Sequence, residues 1–142
     1  MATAAKQCGP DIVERTVAYS IRIIKLYRAI EKDGVGRVIG RQLLRSATSV
    51  GANVHEAQAA QTKADFVAKL YIAYKEARES LYWLRLIRET GIVKAARLQP
   101  LSDETDQLVR ILSAILLSLK KGKKLGSGHF ITHNSQWRGA TW

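Results

Sequence analysis

The chain has 142 residues, with 23 Lys and Arg against 12 Asp and Glu, for a formal charge of +11. That length suits one domain with a core burying roughly two thirds of the unfolded surface, and the charge favours a polyanionic partner, nucleic acid first. A lone cysteine, Cys8, excludes an internal disulfide and suits the reducing cytoplasm, while the absence of a secretory core or of about 18 consecutive apolar residues argues against export and membrane insertion.

Residues 1–10 read as a disordered N-terminus. Asp11 with Glu14 is a capping-box pattern that starts a first helix. Its predicted apolar face is Ile12, Val13, Val17, Ile21, Ile24 and Tyr27, with Arg15, Arg22, Lys25 and Arg28 turned elsewhere, and Gly34 and Gly36 permit a turn.

A second helix is expected from Val35 to Ala60. Leu43, Ala47, Val50, Val54 and Ala57 give it one apolar seam. Ser46, Ser49, Asn53 and Glu56 form a polar ladder beside that seam, placed to hydrogen-bond to a neighbouring helix, and Ala47, Gly51 and Ala52 leave room for close approach.

Thr62 with Asp65 opens a third helix that runs to Glu89 and is closed by Gly91. Pro100, followed by Asp103, Glu104 and Asp106, marks the expected start of a fourth, ending at Gly122. Four helices with short connections predict an all-α, antiparallel up-down-up-down four-helix bundle over residues 11–122. Residues 123–142 lose helical periodicity and read as a flexible basic and aromatic tail.

Helices three and four carry more apolar residues than one core needs. Phe66, Leu70, Ala73, Ala77 and Leu84 make a core stripe on helix three, while Tyr71, Tyr74 and Tyr82 with Arg78 and Arg85 form a second, and Ile72, Trp83 and Leu86 a third. On helix four, Leu108, Leu112, Ile115 and Leu119 suffice for a core, leaving Val109, Leu116 and Leu117 in surplus. Burial of the surplus by another subunit predicts a homo-oligomer. The competing reading is a thick core that absorbs it.

The run S-V-G-A-N-V-H-E-A, Ser49 to Ala57, followed by Lys63, Phe66, Leu70, Ala77, Glu79, Trp83 and Leu84, resembles the core motif of bacterial four-helix bundle proteins encoded within 23S ribosomal RNA intervening sequences. That grouping includes the accessory variability determinants of diversity-generating retroelements. The resemblance spans roughly Asp11 to Gly122 and implies a ring of five subunits and a reverse transcriptase as protein partner. Where the family often carries S-I-P-A-N-I-A-E-G, Gly51 stands for the proline and Ala57 for the glycine. Glycine costs a helix about 1 kcal/mol relative to alanine against about 3 for proline, so a straighter second helix is expected.

Arg37, Arg41 and Arg45, spaced by four on helix two, are the leading phosphate-contact candidates, since guanidinium forks suit phosphate oxygens. The competing reading is a solvated charged face. Lys120, Lys121, Lys123 and Lys124 form a second basic cluster, of which the first pair also suits a helix C-terminus. Tyr71, Tyr74, Arg78, Tyr82 and Arg85 fit either a subunit interface or stacking on unpaired bases. Phe130, Trp137, Arg138 and Trp142 fit a groove, a subunit, bases or nothing at all.

His55 and Glu56 begin an H-E-x-x-H pattern whose fifth position is Ala59, so the second zinc ligand is missing. No Glu-x-x-His pairing for a di-iron site, Walker loop, dinucleotide fingerprint or nucleophile elbow is present, and His129 with His133 is an isolated pair. The sequence therefore implies no metal, no cofactor and no enzyme. Glu56 is expected as a buried partner that sets helix register. The leading reading is a non-enzymatic oligomeric adaptor that binds RNA, or an RNA/DNA hybrid, through its backbone; the alternative is a protein-protein scaffold with no nucleic-acid role.

Overall fold

Asp11, Asp33 and Thr62 open the first three helices by accepting early backbone N–H groups, from Val13 at 3.4 Å, Gly36 at 2.6 Å and Asp65 at 3.1 Å. In the computed structural model, which describes residues 11–122, the helices are α1 (Ile12–Ile30), α2 (Gly34–Ala57), α3 (Lys63–Glu89) and α4 (Ala95–Gly122). No strand occurs among the described residues. The expected N-terminal disorder and C-terminal tail lie outside them.

Three of the four core stripes follow the sequence pattern. Leu43, Ala47, Val50, Val54 and Ala57 of α2, Leu70, Ala73, Ala77 and Leu84 of α3, and Leu108 and Leu112 of α4 are all buried in one cluster. The contact is most extensive between α2 and α3 and slightest between α1 and α4.

The first helix departs from expectation. Its buried residues are Ile12, Thr16, Tyr19, Ile23 and Ile30, whereas Val17, Ile21 and Ile24 are 46%, 48% and 38% exposed. Both sets obey helical spacing, and apolar count alone selected the wrong one. The polar members of the true face are satisfied where they are buried: Thr16 Oγ1 donates to the Val13 carbonyl at 2.9 Å, and the Tyr19 hydroxyl meets Thr105 Oγ1 at 2.8 Å.

Two boundaries also move. α2 stops at Ala57, three residues short of expectation, with the next turn continuing as single backbone bonds such as Ala60 N to Ala57 O. α4 starts at Ala95 and contains Pro100, which was expected to mark its start. The Lys94 carbonyl accepts from Arg97 and Leu98 N–H, and buried Leu98 and Leu101 hold this turn on the core. Burying a leucine is worth about 1.5–3 kcal/mol, comparable to the roughly 3 kcal/mol cost of an interior proline. Ala96, whose carbonyl loses its partner to Pro100, is exposed, so water can supply the bond.

Gly36 and Gly40 fix the corner between α1 and α2. A Cβ on Gly36 would sit 2.6 Å from the Ile30 carbonyl oxygen, and one on Gly40 would sit 3.0 Å from the Tyr27 ring. Gly51 lies beside Thr16 and Ser20 further along the pair, where a Cβ would be 3.3 Å from Ser20 Oγ. Gly91, at φ +73, ends α3 in the left-handed conformation that glycine adopts without strain.

At mid-height one polar residue from each helix enters the core. Ser46 Oγ meets Ser80 Oγ at 2.9 Å, and Tyr19 and Thr105 are paired beside them. Thr105 spends its proton on the Leu101 carbonyl at 2.8 Å and Ser80 on the Glu76 carbonyl at 2.9 Å. Tyr19 then donates to Thr105, while the Ser46 proton is shared between Ser80 Oγ and the Leu43 carbonyl at 3.2 Å. Burial, in the presence of Thr105 and Ser80, pushes the Tyr19 phenol up to about 12.

Candidate nucleic-acid interface

The polar ladder of α2 divides into three environments. Only Ser46 turns fully inward to bond another helix. Asn53 Nδ2 donates back along its own helix, to the Ser49 carbonyl at 2.8 Å and to Ser49 Oγ at 3.1 Å. Glu56, expected to be buried, is instead exposed and pairs with Lys69 Nζ at 2.9 Å, an interaction that raises the lysine's pKa. α2 carries its seam on one side, and Glu56 lies far enough round the helix to reach solvent.

The arginine stripe divides too. Arg37 and Arg41 are exposed with no carboxylate partner among the described residues. Arg45, expected to be equally free, is neutralised by Glu79 and Glu76 of α3, the latter at 3.3 Å. The sequence argument considered acids four residues away on the same helix and so missed those supplied by the next one. Glu79 also accepts from Trp83 Nε1 at 3.0 Å, fixing the indole beside this pair.

Arg22, Lys25 and Arg28 of α1 and Lys32 of the following corner add four exposed cations without ion-pair partners among the described residues. Gly40 packs against Tyr27 and Ile30, so the C-terminal part of α1 lies level with Arg37 and Arg41. The i, i+3 spacing of Arg22, Lys25 and Arg28 was legible in the sequence but was read only as the outer face of a helix. Of these, Arg22 lies on the side of α1 that faces α4, lining a pocket with Glu14, Arg15 and Glu104.

Lys120 and Lys121 are exposed at the end of α4; Lys123 and Lys124 lie outside the described residues. Lys120 and Lys63 of α3 line a groove of about 420 Å³ whose other walls include Val67, Tyr71, Tyr74, Leu116 and Leu117. The groove brings together two features that the sequence kept apart, the lysine cluster of α4 and the tyrosines of α3. Tyr71 and Tyr74 lie 6.1 Å apart between ring centres, with Lys75 Nζ 5.7 Å from the first ring and the Arg78 guanidinium 5.9 Å from the second. Tyr82 meets Trp83 edge-on at 4.9 Å, and Arg85 is paired with Glu89 at 2.9 Å, which leaves it less available to a ligand.

The groove and the arginine surface are separate. From Arg41 to the end of α2, where the chain turns into α3 and Lys63, is about 16 residues, or on the order of 24 Å of helix. Among the described residues no group of three or more His, Cys, Asp or Glu could hold a metal ion, and no helix is long and apolar enough to cross a membrane.

The four-helix framework around the S-V-G-A-N-V-H-E-A segment decides kinship. Residues 10–114 match the model of the 23S rRNA-intervening sequence proteins. The chain belongs to that family. A similar solved structure is a protein of unknown function from the S23 ribosomal protein family of Bacteroides thetaiotaomicron, 35% identical, covering 73% of this chain and 96% of its own, with a TM-score of 0.70. Among curated proteins none matches.

Proposed function

We propose that this family member is a non-enzymatic, cytoplasmic adaptor whose helices form an antiparallel up-down-up-down bundle, assembled as a homopentameric ring, and whose basic surface holds RNA or an RNA/DNA hybrid by its phosphates. The observation that carries the reading is the set of cations Lys25, Arg28, Arg37 and Arg41, exposed and without carboxylate partners among the described residues. The exposed apolar residues of α1, α3 and α4 support assembly, and the likeness to retroelement accessory proteins supports a reverse transcriptase as partner. No step of chemistry is assigned.

Binding through phosphates releases counterions, so log affinity falls linearly with log salt, with a slope of about 0.9 per phosphate engaged on a duplex. Isothermal or fluorescence titration of a structured RNA at several salt concentrations measures that slope. Arg37→Gln with Arg41→Gln flattens it by about two contacts, whereas Arg45→Gln leaves it nearly unchanged because Glu76 and Glu79 already occupy that guanidinium. Absence of binding even in low salt refutes the reading and leaves the protein-protein scaffold, which the ion-paired Arg45 and the uncovered apolar surfaces favour.

A further inference from the structure

The walls of the α3–α4 groove carry no acid: from Phe66 to Lys75 on α3 and from Gln107 to Gly122 on α4 there is neither aspartate nor glutamate. The cations around the groove stand in two groups. Lys63 and Lys120 line one end, while Lys75 and Arg78 lie against the Tyr71 and Tyr74 rings toward the other. None of the four has an ion-pair partner among the described residues. Lys63 and Tyr74 are about 16 Å apart along α3 at 1.5 Å per residue. Between them a ligand meets Val67, Leu116, Leu117 and the tyrosine rings.

This layout selects the chemistry of the occupant. An apolar floor three helical turns long suits the anchors of an amphipathic helix laid into a groove, and cations at both ends suit acids flanking those anchors. A nucleic-acid strand carries a phosphate every few ångströms, yet the middle of the groove offers it no cation, and its bases would compete with Lys75 and Arg78 for the two rings. A second copy of the chain fits no better. Its exposed aliphatic stripes, Ile21 with Ile24 on α1 and Val35 with Val38 on α2, have Arg28 and Arg37 as neighbours and would bring further cations to the lysines.

We propose that the α3–α4 groove binds an acidic amphipathic helix of another protein, its apolar anchors against Tyr71, Tyr74 and Leu117 and its carboxylates at the two cationic ends. The site goes beyond the nucleic-acid reading, whose cations lie on α1 and α2, and stands separately from it. It gives the bundle a second binding surface, so that one chain can hold a polyanion and a protein together.

The probe is a fluorescent, helix-stapled peptide of three turns, with leucines at i, i+4 and i+7 and glutamates at both ends, titrated by anisotropy against the full chain. It binds saturably, and a peptide with lysines in place of the glutamates binds about tenfold more weakly or not at all. Leu117→Glu abolishes binding with unchanged helical circular dichroism, and Lys63→Glu with Lys120→Glu weakens it about tenfold; the lysine pair carries the test if Leu117→Glu misfolds. Arg37→Gln with Arg41→Gln leaves the peptide bound, which separates this site from the nucleic-acid surface. Absence of saturable binding, or equal binding of the lysine peptide, overturns the proposal. So does a loss of structured-RNA affinity in Leu117→Glu, which assigns the groove to nucleic acid, or a change in that variant's sedimentation coefficient, which assigns it to a second copy.

Discussion

Between α2 and α3 the charges are matched across the helices: Arg45 with Glu76 and Glu79, Lys69 with Glu56, and below them Ser46 with Ser80. Between α1 and α4 a single bidentate pair, Arg15 to Glu104 at 2.7 and 3.1 Å, accompanies the Tyr19–Thr105 bond, and the contact is otherwise slight. The inner pair uses alanines to come close; Ala47 and Ala57 on one helix and Ala73 and Ala77 on the other are fully buried. The outer pair keeps its aliphatic residues Val17, Ile21, Ile24 and Leu117 toward solvent. Most of the charge pairs between helices thus join α2 to α3, while α1 and the first turns of α2 keep free cations and exposed aliphatic residues that a partner can use.

The sharpest way to break this contrast is to enlarge an alanine of the inner pair. Ala77→Leu overpacks the core and destabilises by about 1–3 kcal/mol in urea or thermal unfolding, whereas Val17→Ser on the outer face changes monomer stability by no more than about 0.5 kcal/mol. Equal effects would mean that the two faces are not distinguished by packing.

Tyr19→Phe has a smaller effect and one that depends on pH. A phenol raised to about 12 in the folded chain, against about 10 when unfolded, contributes stability that is fully present below pH 10 and is lost as pH rises through 12. Alkaline unfolding followed by circular dichroism shows that loss in the wild type and a flatter profile in Tyr19→Phe. Loss of the hydrogen bond also lowers stability at neutral pH by about 1 kcal/mol. A steep alkaline transition that persists in the variant assigns it to another group.

The smallest effect is expected at Glu56, which the sequence placed in the core and the structure places in solvent. Glu56→Gln removes one exposed ion pair and changes stability by less than about 0.5 kcal/mol. A loss of several times that size in denaturant titration restores the buried assignment.

These residues show where sequence reading succeeds. The seams of α2, α3 and α4 were legible because each has one small or aliphatic stripe that outweighs the rest. α1 was not, because it carries two stripes, and the buried one contains Thr16 and Tyr19, whose hydroxyls are satisfied only by partners visible in three dimensions. Pro100 misled for a related reason: tertiary burial of Leu98 outweighed a local stop signal. For the candidate site, Arg37 and Arg41 were found by spacing, Arg45 was overvalued because its acids come from α3, and the groove joining Lys63, Lys120 and the tyrosines required two helices to be placed side by side.

The Gly36 corner gives the α1 surface a thermodynamic advantage. With the Ile30 carbonyl occupying the space a side chain would need, and the Asp33 carboxylate holding the Gly36 N–H, α1 leaves its turn in one orientation. Whatever meets Val17, Ile21 and Ile24 therefore encounters a surface already in its bound shape, and association forfeits little conformational entropy. Gly36→Ala would loosen that corner. Its signature would be a weaker association with a more unfavourable binding entropy, even though the substituted residue sits beside Ile30, six residues past Ile24.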